Sequence, residues 1–280
     1  MNPLISILLA GVAVLTWNGN WFPSGRAEHR ANPQVEAATI SATAKMLRDG
    51  IVAYDPQGTN ELVIVLNEIR NGLVASNLLA EISLPRLKIA AVSGYRRRDR
   101  FDQQQDVIMT TLPVVKGGFS RFSNHARETP PRGYAFADLI VDNSVTTRVY
   151  AVHLKSNYGA TTPDIAELNR LKRAHSIDDI LADAGDRAHV IIAGDFNTDK
   201  WRKEFAAETI FNTLEKHHYL NALEFVPADR RGTHPHKRYG DSVLDYIVSL
   251  GFSLAKDPEI VPNDLLSDHY AVISLWTALP

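Results

Sequence analysis

Short runs of apolar, often β-branched residues recur along the chain, and such runs are typical of buried strands. They predict strands at residues 12–17, 62–66, 89–92, 106–110, 135–141, 148–152, 190–193, 243–248 and 270–276. We expect 106–110 and 135–141 to be neighbouring strands. The long polar segment between them, which includes Pro130 and Gly133, is expected to be a surface loop.

Other segments place apolar residues at helical spacing. Asn32 and Pro33 form a cap and first-turn proline, and the helix that they begin is expected to end at Gly50. A shorter helix is predicted at 74–82, and a third begins at Thr162 and Pro163 and runs to about residue 181. Residues 199–219 predict one or two further helices, whereas 227–241, rich in Arg, His, Gly and Pro, predicts a loop.

We expect a single domain over residues 12–280, because no linker, charge block, low-complexity tract or internal repeat marks a boundary. Residues 1–11 form a hydrophobic N-terminal segment. The apolar run from Leu4 to Leu15 is too short for a transmembrane helix and lacks the positive residues that begin a signal peptide. It is either the remnant of an export signal or an extension of the first strand, so an exported and a cytoplasmic location both stay open. We expect a monomer with no stable membrane span.

Composition restricts the chemistry. A hydrophobic content of 45% and a net charge of −2 are typical of a soluble globular protein without a global basic field. Nucleic acid would therefore have to be held by local charge, and the densest basic cluster runs from Tyr95 to Arg100. This cluster is either a solvated loop or a grip on a phosphate backbone. With no cysteine, the chain has no thiol nucleophile and no zinc-thiolate site, so any metal must bind through oxygen or imidazole.

Polar side chains stand at the ends of several predicted strands, where loops bring functional residues together. They are Asn18, Glu68, His153, Asp195, Asn197, Asp268 and His269. Asp195 and Asn197 are two residues apart and can point the same way. A carboxylate can hold a hard cation or orient a water, and an amide can donate to a phosphate oxygen, so this pair suits phosphate ester hydrolysis. Taken singly, each residue is also compatible with a turn, a cap or a satisfied buried hydrogen bond.

Asp245 lies inside the predicted strand 243–248, where an unpaired carboxylate is costly to bury. A histidine is its best candidate partner, because an Asp–His pair fixes the imidazole tautomer and raises its basicity, as a water-activating base requires. We interpret the other histidines as surface or loop residues: His29, His125, His175, His189, His217, His218, His234 and His236. Pairs such as His217 with His218, or His234 with His236, could bind zinc, but no second ligand pair at suitable spacing supports such a site.

Six segments occur in the order seen in the endonuclease/exonuclease/phosphatase superfamily, which the chain resembles from about residue 12 to residue 276. They are Thr16-Trp17-Asn18, Leu66-Asn67-Glu68, Val152-His153-Leu154-Lys155-Ser156, Gly194-Asp195-Phe196-Asn197, Leu244-Asp245-Tyr246-Ile247 and Ser267-Asp268-His269. The resemblance implies an α+β fold, a four-layered sandwich of two mixed sheets with helices outside. It also implies a divalent-metal site at one end of the sheets.

By the family pattern, Glu68 and Asp268 would hold Mg²⁺ or Mn²⁺, with Asn18 close to them. Asp195 would orient the attacking water or bind a second metal.

The resemblance further implies that Asn197 and His153 hydrogen-bond the phosphate oxygens. His269, oriented by Asp245, would act as a base or stabilise the charged transition state. The chain departs from the family where Asn67 replaces the usual glutamine. Tyr95 is the only candidate for a tyrosine that the family often supplies, and a further acid of the family pattern has no assigned residue, so the leaving-group acid stays open.

These residues predict a metal-dependent phosphodiesterase that hydrolyses nucleic acid, with DNA as the expected substrate. The segment from His153 to Ser156 resembles bacterial nucleases, and Arg96, Arg98 and a basic helix face near Arg170 would track the phosphate backbone. The alternative is a phospholipid headgroup or a phosphorylated small molecule, for which only Trp21 and Phe22 offer an apolar loop. A catalytically silent binding module is disfavoured, because the motif residues are all present.

Overall fold

The computed structural model describes residues 11–25, 32–97, 100–101, 104–142, 144–236, 240–263 and 266–280, without the side chains of 96, 97, 100 and 101. The helices are α1 (Pro33–Tyr54), α2 (Gly72–Ile82), α3 (Pro163–Ala184) and α4 (Ile210–Lys216). The strands are β1 (Val12–Phe22), β2 (Glu61–Ile69), β3 (Lys88–Val92), β4 (Arg96–Arg97), β5 (Arg100–Phe101), β6 (Gln105–Thr110), β7 (Val114–Arg121), β8 (Gly133–Val141), β9 (Val145–His153), β10 (Val190–Asp195), β11 (Leu220–Asn221), β12 (Asp245–Leu250), β13 (Phe252–Val261) and β14 (Ala271–Ala278).

Two six-stranded mixed sheets form the centre of the fold. The first has the strand order β13-β14-β1-β2-β6-β3, and the second has the order β11-β12-β10-β9-β8-β7. The central pairs, β1 with β2 and β10 with β9, are parallel, and their neighbours are antiparallel. The parallel pairs place the ends of two neighbouring strands at the same edge of each sheet, which is where polar residues can converge.

The sheets pack face to face because their strands are apolar on both faces. In β1, Val12 and Val14 belong to the core that contains the second sheet, whereas Ala13 and Leu15 belong to the core that contains α1 and α2. Residues of α3 and α4, such as Ile177, pack on the second sheet. The layers are therefore helix, sheet, sheet and helix, which confirms the expected four-layered α+β sandwich.

The first helix is longer than the sequence predicted. Its start is as expected, with the side chain of Asn32 accepting a hydrogen bond from the N–H of Val35 at 2.9 Å. The prediction that Gly50 ends it is wrong, because Ile51 and Tyr54 are buried and continue the apolar face for another turn. Within residues 199–219, the structure has only α4 and a short 3₁₀ turn over Lys203–Phe205.

Two predictions about strands need correction. Residues 106–110 and 135–141 are not neighbours, because β6 belongs to the first sheet and β8 to the second. The segment between them is not all loop: it contains β7, which pairs antiparallel with β8 along most of its length. The edge strand β13 was also not predicted. It carries Lys256, Asp257 and Pro258, and charges and proline are typical of edge strands.

None of the helices in the described parts of the chain is long and apolar enough to cross a membrane. Residues 1–10, most of the hydrophobic N-terminal segment, lie outside the described residues. The division into a segment 1–11 and a single domain 12–280 stays a prediction.

Candidate active site

The polar strand ends of the two sheets meet at one place. Glu68 lies next to the last residue of β2, and Asn18 lies in the neighbouring strand β1 at the point where the pairing of the two strands shifts register. In the second sheet, Asp195 of β10 is paired with His153 of β9 on one side and with Asp245 of β12 on the other. A hydrogen bond from Asn18 Nδ2 to Asp195 Oδ2, at 2.9 Å, joins the two sheets at this edge.

Two buried carboxylates share an amide and an imidazole. Asn18 Nδ2 also lies 3.4 Å from Glu68 Oε1. The Nε2 atom of His153 is 3.6 Å from Glu68 Oε1 and 3.6 Å from Asp195 Oδ2. The second oxygen of Glu68 accepts a hydrogen bond from the N–H of Trp21 at 3.0 Å. The carboxylates of Glu68 and Asp195 are thus held close together in a site almost closed to solvent.

Asp195 is held by the residue that the sequence paired with it. Asn197 donates to its two oxygens, from the backbone N–H to Oδ1 at 2.8 Å and from Nδ2 to Oδ2 at 2.9 Å. The same Nδ2 group also donates to the carbonyl of Leu154 at 3.1 Å, so both amide protons of Asn197 are engaged. Burial raises the pKa of Asp195 to about 7, and the charges of Asp245 and Glu68 add to the rise against the opposing effect of His269.

The buried carboxylate of Asp245 has the histidine partner that its burial predicted. Asp245 Oδ2 lies 2.8 Å from His269 Nδ1, which leaves His269 Nε2 as the free ring nitrogen of this pair. Burial alone would lower the pKa of His269, but the charge and hydrogen bond of Asp245, with Asp195 and Asp268, raise it to about 10. Trp17 fixes the backbone at this point by donating its indole N–H to the carbonyl of His269 at 3.2 Å.

Asp268 faces two histidines. Its Oδ1 lies 3.9 Å from His269 Nε2 and its Oδ2 lies 3.7 Å from His234 Nε2, while half of its side chain is exposed. The rings of His234 and His269 meet edge to face at a centroid distance of 4.8 Å. Burial would raise the pKa of Asp268, but hydrogen bonding and charge from His234 and His269 lower it. The interpretation of His234 as an ordinary loop residue is therefore incomplete, because it lies in a loop and also contacts the candidate site.

A buried polar chain supports the site from behind. Asn67 accepts a hydrogen bond from the N–H of Asp195 at 3.0 Å and donates to Asp106 Oδ1 at 2.7 Å and to the carbonyl of Val152 at 3.0 Å. The hydroxyl of Tyr95 donates to the other oxygen of Asp106 at 3.0 Å. The shorter amide that replaces the family's glutamine thus connects both sheets, and Tyr95 lies behind the site and is itself buried.

Positively charged side chains lie close to His153 in addition to the carboxylates of Glu68 and Asp195. Arg132 donates to the carbonyl of His153 at 3.0 Å, and Lys155 follows two residues later, half buried, with Nζ donating to the carbonyl of Ser156 at 2.6 Å. Burial lowers the pKa of His153 well below its ordinary value, and the charges of Arg132, His269 and Lys155 lower it further. The Nδ1 atom of His153 is buried and meets no hydrogen-bond partner among the described residues. Burial and these positive charges therefore favour the neutral form of His153.

The chemistry of the donor set fits a hard divalent cation. Glu68, Asp195 and Asp268 supply carboxylate oxygens, the ligand type that Mg²⁺ and Mn²⁺ prefer. Asn18 turns its amide nitrogen toward Glu68 and Asp195, and its amide oxygen accepts from the N–H of Asn20 at 2.9 Å, so its side chain would have to turn over to bind an ion through oxygen. Ser267 donates to the carbonyl of Asn18 at 2.7 Å, so Asp268 follows directly on a residue that is attached to Asn18. A cation here would also offset the charge of the buried carboxylates, which raise the pKa of Asp195.

The structure brings together Asn18, Glu68, His153, Asp195, Asn197, Asp245, Asp268 and His269. The two predicted arginines stay untested, because Arg98 lies outside the described residues and only the backbone of Arg96 is described. On α3, Arg170 pairs with Glu167 and Arg173 is buried against Glu208.

Sequence reasoning missed Asp106, Arg132 and the part that His234 plays. Asp106 and His234 are separated along the chain from the groups that they contact, so no local pattern marks them. The one sequence signal for Asp106 is its position as an acidic residue at the start of an otherwise apolar strand.

No curated protein matches the chain in sequence. Solved structures match it in fold. An endonuclease/exonuclease/phosphatase from Beutenbergia cavernae DSM 12333 has a TM-score of 0.63 at 18% identity, over 96% of this chain and 72% of that one. D. rerio TDP2 complexed with single strand DNA product has a TM-score of 0.62 at 13% identity, over 96% and 99%. Sphingomyelinase C from Streptomyces griseocarneus has a TM-score of 0.60 at 18% identity, over 95% and 99%.

The structural matches show the shared fold, and the sequence itself shows the family. The model of the Endonuclease/Exonuclease/phosphatase family matches residues 15–269, which include every residue of the candidate site. The chain therefore belongs to the endonuclease/exonuclease/phosphatase family and is a hydrolase that acts on phosphoric ester bonds.

Proposed function

We propose that the protein is a Mg²⁺- or Mn²⁺-dependent phosphodiesterase that hydrolyses DNA. The observation that carries the proposal is the convergence of the Asp245–His269 pair with Glu68, Asp195 and His153 at the joined ends of the two sheets. Enzymes of the family are generally dependent on a divalent metal, and the oxygen donors of this site suit one.

Glu68, Asn18 and Asp268 would hold the ion. When bound, it would neutralise charge that develops on the phosphate oxygens during displacement. The chain fixes Glu68 and the backbone of Asn18 in advance: the Trp21 N–H donates to one oxygen of Glu68, and the hydroxyl of Ser267 donates to the carbonyl of Asn18. Such preorganisation lowers the cost of reorganising the site during the reaction.

His269 and Asp195 would handle the attacking water. Because Asp245 occupies Nδ1 of His269, Nε2 is the atom left to exchange a proton with the water or to donate to a phosphate oxygen. Asp195 is immobilised by three hydrogen bonds from Asn18 and Asn197, so it can orient a water in a fixed direction. A second ion on Asp195 is the alternative use of the same carboxylate.

His153 and Asn197 would contact the phosphate. Neutral His153 can donate one hydrogen bond to a phosphate oxygen without adding a charge that repels the metal. Both amide protons of Asn197 are engaged by Asp195 and Leu154, so Asn197 must release one of these bonds when it donates to the substrate.

Three observations favour DNA over a lipid headgroup. Arg132 and Lys155 add positive charge beside His153, as a polyanionic substrate requires. Of the residue pair proposed for an apolar, lipid-facing loop, Phe22 is only 1% exposed and packs edge to face on Trp17, which leaves only the partly exposed Trp21 to face a lipid. A similar fold has been solved with a single strand DNA product. Arg96 and Arg98 stay candidates for further backbone contacts.

The test is cleavage of supercoiled plasmid DNA with Mg²⁺, Mn²⁺ or EDTA. The wild-type protein is compared with His269→Ala and with His217→Ala, a matched variant at an exposed histidine. We expect nicking that requires metal, that is lost in His269→Ala and that persists in His217→Ala. Absence of nicking by folded wild type would refute DNA hydrolysis. Release of phosphocholine from sphingomyelin vesicles would then move the substrate to a phospholipid, the fold's other documented class.

A further inference from the structure

We propose that His234, Asp268 and His269 form a binding site for Zn²⁺ that shares Asp268 and His269 with the candidate active site, and that Zn²⁺ bound there blocks the reaction proposed above. One ligand atom from each of the three residues lies within 4.8 Å of the others. The imidazole Nε2 atoms of His234 and His269 approach opposite oxygens of Asp268, at 3.7 Å and 3.9 Å.

The distances are close to those of a zinc centre. Ligand atoms around a tetrahedral Zn²⁺ stand about 3.3 Å apart, because each bond is about 2.0 Å long. The two contacts of Asp268, at 3.7 Å and 3.9 Å, are somewhat longer than this, and the three ligand atoms lie within 4.8 Å of one another. Asp268 is half exposed, so its carboxylate can rotate as the two imidazoles and the carboxylate draw together around an ion. Two imidazoles and one carboxylate leave a fourth position for water, as in His₂-carboxylate zinc sites.

One histidine already has the supporting contact of a metal ligand. A metal-binding histidine usually donates its second ring nitrogen to a carboxylate, which fixes the ring and raises its basicity. His269 meets this condition through Asp245, at 2.8 Å. The carboxylates of Asp195 and Asp245 add negative charge around the ring, and this charge favours a proton or a metal cation at Nε2, so Zn²⁺ binds there by displacing the proton.

Backbone hydrogen bonds of the fold hold His234 in its position. Its backbone forms an isolated antiparallel bridge with Ser242. The preceding residue, Thr233, is fully buried, accepts from the N–H groups of Leu244 and Asp245 through its hydroxyl, and accepts from the N–H of Tyr270 through its carbonyl. Hydrogen bonds of Thr233 therefore connect this loop to the backbone of Asp245 and to the backbone of Tyr270, the residue after His269.

The ligand types give this site a different metal preference from that of the site around Glu68. Carboxylate and amide oxygens select Mg²⁺ or Mn²⁺, whereas imidazole nitrogens favour Zn²⁺. Zn²⁺ on His234, Asp268 and His269 would occupy the Nε2 atom that the proposed reaction needs, and it would withdraw Asp268 from the Mg²⁺ site. The inhibitory part of the inference rests on the proposed function, but Zn²⁺ binding itself does not.

Binding is tested on the full-length, metal-free protein by calorimetric titration with Zn²⁺ and by visible absorption of Co²⁺, whose tetrahedral complexes absorb strongly. The variants are His234→Ala, His234→Gln, which keeps side-chain bulk, and His236→Ala, an exposed histidine of the same loop. We expect both His234 variants to lose at least about tenfold in Zn²⁺ affinity and to lose the Co²⁺ absorption, with His236→Ala unchanged. Wild-type affinity in a folded His234 variant overturns the site.

Inhibition is tested by adding Zn²⁺ to the Mg²⁺-supported reaction and comparing the concentration for half inhibition, normalised to each variant's own activity. We expect this concentration to rise at least about tenfold in the His234 variants and to stay unchanged in His236→Ala. Equal inhibition of all variants would refute the blocking role. Zn²⁺ binding that depends on His234 in a protein without any DNA cleavage would instead refute the proposed function and leave the metal site standing.

Discussion

Asp245 and His269 lie 2.8 Å apart, through Oδ2 and Nδ1, although one belongs to the second sheet and the other precedes the strand β14 of the first. Asp245 is fully buried, and its other oxygen has no hydrogen-bond partner among the described residues. The pair therefore fixes the ring of His269 and connects the two sheets at the candidate site.

Replacing Asp245 with asparagine should reduce phosphodiester cleavage on the order of 10³-fold. The amide keeps the shape of the side chain but does not stabilise the same tautomer or the charged form of His269. Steady-state kinetics on DNA with saturating Mg²⁺ measure the effect, and Asp229→Asn, at an exposed aspartate, is the matched control. A folded Asp245→Asn variant with nearly wild-type kcat would show that the pair is structural.

Asn67 should contribute to the stability of the fold as well as to the positioning of Asp195. It is fully buried and makes three hydrogen bonds that connect β2 to the second sheet and to Asp106. Asn67→Ala leaves the Asp106 carboxylate and the Asp195 N–H short of a partner, so we expect the free energy of unfolding to fall by about 3 kcal/mol. Urea unfolding measures it, with the exposed Asn77→Ala as control. A loss no larger than the control's would mean that water replaces the amide.

The sequence identified most of the residues that converge in the candidate site, because they follow apolar strands that are recognisable one by one. Asp245 could even be assigned a histidine partner, since an unpaired buried carboxylate is costly. The contacts of His234 and Asp106 could not be predicted in this way. His234 reaches Asp268 because Ser242 and buried Thr233 hold its loop, and these are long-range contacts without a periodic pattern.

The strands that escaped prediction are those whose pattern is least apolar. β7 contains Lys116, Gly117 and Gly118, and much of it is exposed, so its alternation is weak. β13 is an edge strand with an exposed charged middle. Both are edge strands of their sheets, so part of each is in contact with solvent and does not need apolar side chains.

Tyr219 should make the protein lose stability at alkaline pH. Burial raises its pKa to about 12, above the ordinary value of about 10. Because the folded state keeps the proton longer than the unfolded state, this contribution is fully present below about pH 10 and is lost as the pH rises toward 12. Tyr219→Phe should therefore show a shallower fall of unfolding free energy with pH between 10 and 12. An unchanged slope in urea titrations across this range would contradict the prediction.

Gly194 should tolerate no side chain. It has a φ of +140°, and a Cβ would lie 2.0 Å from the carbonyl oxygen of Val152 and 3.0 Å from Oδ1 of Asn67. Gly194→Ala must push β10 away from β9 beside Asp195, so we expect a loss of at least about 3 kcal/mol in unfolding free energy. The control is Gly72→Ala, where a Cβ meets open space. Equal stability of the two variants in urea would show that the strands shift without cost.

Metal removal should lower both activity and thermal stability, and both effects should depend on Glu68 as a ligand of the ion. An ion that binds only the folded protein stabilises it by about 2.7 kcal/mol at one hundred times its Kd, or roughly 5 °C in Tm for a chain of this length. We expect Mg²⁺ to raise the Tm of the wild type and EDTA to reverse the rise. Glu68→Gln, which keeps the side-chain shape but not the charge, should abolish the Mg²⁺-dependent shift together with activity.

The matched variant for this experiment is Glu81→Gln, at an exposed glutamate, and it should behave as wild type. A full Mg²⁺-dependent rise in Tm in Glu68→Gln would place the ion elsewhere.

Because Glu68 lies 3.6 Å from His153 Nε2, an ion held by Glu68 should also alter the environment of that ring. Titrating Mg²⁺ while following the imidazole resonances of His153 therefore gives a second, activity-independent measure of the same site, and its resonances should stay unmoved in Glu68→Gln.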